Sequence, residues 1–257
     1  MNASQTARER VRAELTREIT EIARRQLATD GAAGLSLRAV AREMGMVSSA
    51  VYRYFSSRDE LLTALIIEGY DAVGSAVEQA EGRCPRQDYP GRWLVACQGL
   101  RDWALAHPHE YALIYGSPVP GYEAPEQTIA PAGRVAAVLG KIISDAYRAG
   151  ALTGPGKPGE SGEPGESGKP EESGEPEQWP AVPGSFAPDA GRLREAVLPG
   201  VPDGLAARSL AAWAAVFGLV SFELFGQFQN VVTGRDEFFR YAAASLGGLA
   251  GLGGRPG

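Results

Sequence analysis

Cysteine and histidine are scarce in this chain of 257 residues: Cys84, Cys97, His107 and His109 are the only ones. Two cysteines without C-x-x-C spacing exclude a disulfide-built scaffold and offer no zinc-ligand pattern. They could bridge, but residues 1–21 are polar and charged, with no apolar stretch of the kind a secretory signal needs. A cytoplasmic setting with reduced thiols is therefore expected. His107, His109 and Glu110 can be drawn as a metal cluster, yet Pro108 between the histidines would distort a helix carrying them. No metal and no cofactor is expected; a histidine closing a helix terminus is the simpler role. Strand patterns are missing too, since no run of Val, Ile, Thr or aromatic residues alternates with period two. There is no nucleophile elbow, no P-loop and no G-x-G-x-x-G opening a βαβ unit, so no catalytic residues are expected. The most apolar window, residues 205–232, is broken by Arg208, Glu223 and glutamines. It reads as an amphipathic core helix rather than a membrane span.

What is present is helical periodicity. Leu37, Val40, Ala41 and Met44 form one apolar stripe. Ser36 stands where an N-cap belongs, and Gly45 where a left-handed C-cap belongs. A second helix must start almost at once, with Ser48 or Ser49 able to cap it and Val51 and Phe55 on its inner face. Its outer face then carries Ser48, Ser49, Tyr52, Arg53 and Tyr54. Hydroxyls, phenols and an arginine without an acidic side chain suit a surface laid into a DNA major groove. Residues 1–62 hold ten Arg against eight Asp plus Glu, net +2, although the whole chain is at −6. That footprint serves local phosphate contacts rather than wrapping.

The run Gly34-Leu35-Ser36-Leu37-Arg38-Ala39-Val40-Ala41, then Gly45, then Tyr52-Arg53-Tyr54-Phe55, then Arg58-Asp59-Glu60-Leu61-Leu62, resembles the N-terminal domain of the TetR family of transcriptional regulators. The resemblance covers roughly residues 12–72. It implies a DNA-binding set of Ser36, Arg38, Ser48, Ser49, Ala50, Tyr52, Arg53, Tyr54 and Arg58. Ser48, Ser49 and Ala50 open the recognition helix and should face bases. Tyr52, Tyr54 and Arg58 match family positions that grip phosphates, while Arg38 and Arg53 could do either. A weaker likeness, His107-Pro108 followed by Tyr111 and aliphatics, resembles the ligand-domain centre of one subset of the family.

Along the chain, residues 1–10 read as a disordered arm and a first helix is expected over 10–29, stopped by Asp30-Gly31. Ser57 with Glu60 three residues on makes a capping-box pattern for a long helix to about 80. Further helices fit 91–106, 132–149, 203–232 and 235–249, with a short apolar turn at 111–115 and a Pro-rich loop over 116–131. Residues 154–178 have no aliphatic or aromatic side chain and carry seven Glu and two Lys. They cannot bury enough surface to offset ordering, so an expanded loop from about 154 to 190 is expected.

The expected fold class is all-α: a three-helix helix-turn-helix domain at 12–72, then a helical bundle at 73–250 for ligand binding and dimerisation. The helix at 203–232 is apolar on two faces, and the second face calls for another copy. The expected partners are a double-stranded, near-palindromic DNA operator, a homodimer mate and a small apolar or aromatic effector, with no membrane. Trp93, Trp103, Tyr111, Tyr115, Trp213 and Phe217 are candidates for the effector pocket, because buried Trp and Tyr need partners for their polar tips. Aromatics at helical spacing also serve as plain core. Two alternatives stay open: a DNA-binding scaffold controlled by a protein partner, and an enzyme built on a helical bundle.

Overall fold

The computed structural model describes residues 3–153 and 179–253, and every regular element in them is helical. In chain order these are α1 (Ala3–Gly34), α2 (Leu37–Glu43), α3 (Ser48–Val51), α4 (Arg58–Gly82), α5 (Tyr89–Ala106) and α6 (Pro108–Tyr115). A 3₁₀ turn at Glu126–Thr128 leads into α7 (Ile129–Ala132), α8 (Arg134–Arg148), α9 (Ala187–Val197), α10 (Asp203–Leu224) and α11 (Arg235–Leu249). The low-complexity stretch 154–178 lies outside the described residues.

Several expectations need correcting. Residues from Ala3 onward belong to α1 rather than to a disordered arm. Gly31, at φ 68°, ends the regular part of α1 where Asp30-Gly31 was expected to stop it. The segment around 111–115 is a helix, not a turn. Pro108 stands in its first turn, where the missing N–H would have had no intrahelical partner. Helix α9 was not expected at all. α10 stops at Leu224, and turns follow it.

The chain forms two compact units, Met1–Ser75 with Asp102–Arg134, and Ala76–Arg101 with Val135–Gly257. In the first, Ile19, Ile22, Ala23 and Leu27 of α1 are buried, as are Val40 and Ala41 of α2. Val51, Phe55 and the α4 residues Leu61, Leu62 and Leu65 complete this core. Polar ties hold α4 in place. Arg134 donates to the Asp71 carbonyl at 3.0 Å and its carboxylate at 2.8 Å, and Tyr70 donates to Ile114 O at 3.0 Å.

In the second unit, Trp93 of α5 is fully buried and its Nε1–H donates to Ala243 O of α11 at 2.8 Å. Gly140 of α8 lies so close to α9 that a Cβ there would sit 2.1 Å from Val197 O. Arg92 is buried between Glu81 at 2.7 Å and Asp145 at 3.0 Å. Among the described residues one helix, α10, is long and apolar enough to cross a membrane. Yet its Glu223 is buried against Arg101, and its Arg208 donates to Leu249 O at 2.7 Å. Those ties fit the reading of α10 as a core helix.

The Arg92 cluster sets an acid limit on this unit. Burial alone would raise the Glu81 and Asp145 carboxyls. Hydrogen bonds from Arg86 and Arg92 to Glu81, and from Lys141 and Arg92 to Asp145, outweigh it and hold both below their ordinary range. A carboxyl lowered in the folded state contributes stability above its unfolded pKa, about 4, and loses it as pH falls through the folded value. Urea melts at stepped pH are therefore expected to show stability dropping below about pH 4. The drop should be shallower in a Glu81→Gln, Asp145→Asn variant.

Candidate nucleic-acid interface

The two helices of the motif are built by their ends. Ser36 is in extended conformation and its Oγ accepts from Ala39 N–H at 3.4 Å, the cap expected for α2. Beyond α2, Gly45 takes φ 66°, a left-handed conformation that any side chain would strain. Met46 N–H then bonds back to Ala41 O at 2.9 Å and Gly45 N–H to Arg42 O at 3.1 Å. This paired closure, a Schellman motif, satisfies the last carbonyls and turns the chain directly into α3.

Neither Ser48 nor Ser49 caps α3. The N-cap is Val47, with no side-chain bond, and both serines lie inside the first turn. Their hydroxyls are thus not committed to capping. α3 proper is one turn long, and tighter turns carry it on, with Tyr54 N–H bonding to Val51 O at 2.9 Å and Phe55 N–H to Val51 O at 3.2 Å. Val51 at 0% and Phe55 at 5% exposure pin the segment to the core.

The outward face carries most of the expected set. Arg38, Ser49, Tyr52 and Arg53 are exposed, and Ser48, Ala50 and Tyr54 are half-buried. Ser36 is half-buried and spends its hydroxyl on the cap. Arg58 is half-buried as well: Nη2 donates to Ala32 O at 2.7 Å, and Nη1 lies 3.3 Å from Asp59. Its fork braces the start of α4 against the end of α1. At the same junction Ser57 Oγ accepts from Glu60 N–H at 3.1 Å. Glu60 reaches back to the N–H and hydroxyl of Ser56, at 2.6 and 2.7 Å, one residue further than a capping box requires. Those two bonds hold its carboxyl below the ordinary range.

Three residues on this face were missed from the sequence. Arg12 of α1 donates to Arg53 O at 3.3 Å, and its guanidinium lies 5.2 Å over the Tyr54 ring. Nothing local in the sequence signals a contact across 41 positions. Arg42 is exposed one turn after Arg38, an i,i+4 spacing that could have been used. Val47, 72% exposed beside the recognition segment, offers an apolar contact of the kind a thymine methyl accepts.

The six aromatics expected around an effector fall three to each unit. In the first, Trp103 stacks on His107 with centroids 5.1 Å apart, and Tyr111 lies 5.1 Å from Tyr115. His107 Nδ1 sits 2.9 Å from Trp103 O at the end of α5, the helix-end role expected of it. Burial pushes the Tyr115 phenol upward, with Tyr70 and Tyr111 adding to it. In the second unit, Trp93 and Trp213 line one apolar cleft between α5, α8, α9 and α10, and Phe217 meets Trp213 edge-on at 5.8 Å. The cleft's enclosed volume is about 20 Å³, room for about one water.

The chain is similar to known proteins. Residues 19–65 match the family model described as bacterial regulatory proteins, tetR family, and residues 93–246 match the tetracyclin repressor-like C-terminal domain. The HTH-type transcriptional regulators Rv1816 of Mycobacterium tuberculosis and Mb1846 of Mycobacterium bovis are each 38% identical over 223 residues, covering 86% of this chain and 84% of theirs. The crystal structure of SCO4313 superposes with a TM-score of 0.70 at 30% identity, over 93% of this chain and 98% of that one. A Rhodococcus sp. RHA1 protein shares the fold, with a TM-score of 0.63 at 23% identity over 90% and 93% of the two chains. A helix-turn-helix closed by Ser36 and Gly45, a second helical unit and relatives spanning most of the chain agree: the protein belongs to the TetR family of DNA-binding transcriptional regulators.

Proposed function

We propose that this regulator is a repressor that binds a near-palindromic operator as a homodimer and is released by a small, uncharged, apolar molecule. The observation that carries the dimer is the outer face of α10 and α11. Ala211, Ala214 and Phe222 of α10 are exposed in one stripe, and Tyr241 of α11 is 61% exposed. Exposed apolar residues gathered on one stripe of a helix mark a surface for association. A second copy covers it symmetrically, at an interface on the order of 2,000 Å² or more. Ser48, Ser49 and Ala50 then face bases, Arg38 and Arg53 reach base edges or phosphates, and Tyr52, Tyr54 and Arg58 serve the phosphate backbone.

The cleft lined by Trp93, Leu139, Ile143, Leu193, Leu210 and Trp213 supports an apolar effector. The Nε1–H of Trp213 is buried without an acceptor among the described residues, so an effector bearing a carbonyl or hydroxyl gains a donor there. A molecule larger than water must open the cleft, and it shifts DNA affinity only by its preference for the opened form. The same small volume favours the second reading, control by a protein partner.

Sedimentation at micromolar concentration is expected to give a dimer; a monomer with full operator affinity removes the dimer from the reading. Candidate apolar compounds are expected to quench Trp fluorescence and weaken operator binding in the same samples. Quenching without a change in DNA affinity makes the cleft a binding site but not a switch. No quenching by any of them turns the choice toward a protein partner.

A further inference from the structure

The N-terminal part of α1 lies outside the helix-turn-helix motif. The matched family segment begins at residue 19, whereas α1 is helical from Ala3. The inner stripe of α1 changes character as it runs back from the core. Ile19 is fully buried and Leu15 half-buried; the next positions on the same stripe, at helical spacing, are Arg12 and Arg8. Arg12 docks on the end of the recognition segment, donating to Arg53 O at 3.3 Å with its guanidinium over the Tyr54 ring. Arg8 follows one turn further out and is exposed, and no partner is seen for it among the described residues. Arg10 and Arg17 lie on the opposite side of the helix, where Arg17 pairs with Glu14.

From this we infer that α1 extends the DNA interface beyond the helix-turn-helix: Arg8 contacts a backbone phosphate next to the stretch read by the recognition segment, and Arg12 is the positioning residue that holds α1 there. The occupant is the same duplex. Arg53 and Tyr54 belong to the recognition segment, so a cation on the stripe that Arg12 fixes to them continues that surface. Arg12 is committed to the recognition segment, whereas Arg8 has no such tie, and a phosphate strand along the edge of the stripe gives it a counter-charge. Such a contact adds affinity and footprint length without adding sequence preference.

The test compares Arg8→Ala with Arg10→Ala, two exposed changes of equal charge on opposite faces, on a duplex selected by the wild-type protein from a random pool. For Arg8→Ala, the plot of log affinity against log salt should become shallower by about 0.9 per protomer. At 0.1 M salt the affinity should fall by about eightfold per protomer, the counterion-release factor for one phosphate. Arg10→Ala should leave the slope unchanged. Ethylation interference should lose a phosphate at each outer edge of the footprint in Arg8→Ala alone. In an Arg12→Ala background, removing Arg8 should have a smaller effect. Equal effects of Arg8→Ala and Arg10→Ala would mean only long-range charge is at work and would overturn the proposal. So would an unchanged slope and footprint in Arg8→Ala. An undiminished effect of Arg8→Ala in the Arg12→Ala background would overturn the role given to Arg12.

Discussion

Replacing Arg101 by alanine is expected to bring the second unit close to unfolding. The side chain is 5% exposed, and its Nε and Nη2 donate to the two carboxylate oxygens of Glu223, each at 2.7 Å. Nη2 also reaches Asp236 at 2.7 Å, and the guanidinium lies 5.2 Å over Phe239. One planar group thus joins α5, α10 and α11. Its loss leaves the Glu223 carboxylate, 6% exposed, buried with no counter-charge. Breaking a buried pair from one side costs about 3–5 kcal/mol, against a total stability of about 5–15 kcal/mol. Asp236, 69% exposed, adds little to that figure. Lysine would not rescue the site, because an ammonium cannot make the two parallel bonds. Removing both charges, as Arg101→Met with Glu223→Leu, should recover most of the loss, since well-packed apolar residues often replace buried pairs at little cost. Denaturant melts of the two single variants and the double variant check this. A loss under about 1 kcal/mol in Arg101→Ala would mean the pair does not hold these helices together.

The second large effect falls on DNA binding. Tyr52 is 44% exposed on the recognition face, and we propose that its hydroxyl meets a phosphate. A hydrogen bond to a charged group contributes about 1.5–3 kcal/mol, so a dimer of Tyr52→Phe should lose about 3–6 kcal/mol of operator binding. The loss should be uniform across operator variants, because a phosphate is the same at every base pair. Ser48→Ala and Arg38→Ala should instead change which base pairs are preferred, with smaller loss on the best new site. Competition titrations over a set of single-base operator variants separate the two patterns. Uniform losses from all three substitutions would dissolve this division of roles.

Much of the fold was legible because its signals are local. Ser36 as a cap, Gly45 as a left-handed closure and the apolar stripe of α2 need only a few neighbouring residues to specify them. The expected cap at Ser48 or Ser49 failed because the Schellman closure already delivers the chain into α3, and Val47 needs no side-chain bond to begin it. The first turn of α6 departs from expectation for the opposite reason: Pro108 reads as a breaker in the sequence, although at a helix start it costs nothing. What could not be read are the long-range ties. Arg12 to Arg53, Arg58 to Ala32 and Arg101 to Glu223 are arginines among 22 such residues. Their partners are set by how helices meet, not by spacing along one helix. The aromatics show the same limit. The expected helix at 91–106 holds both Trp93 and Trp103, but the sequence does not say in which unit each is buried.

We propose that this protein reads DNA as a symmetric pair through Arg38, Ser48 and Ser49. Selection of bound duplexes from a random pool, run with wild type and with Ser48→Ala, tests it most directly. The expected outcome is one enriched near-palindrome with half-sites about one helical turn, ~34–36 Å, or somewhat more apart, and a changed half-site for the variant. A pool that enriches no sequence, or one that enriches single half-sites without a twofold mate, would contradict it.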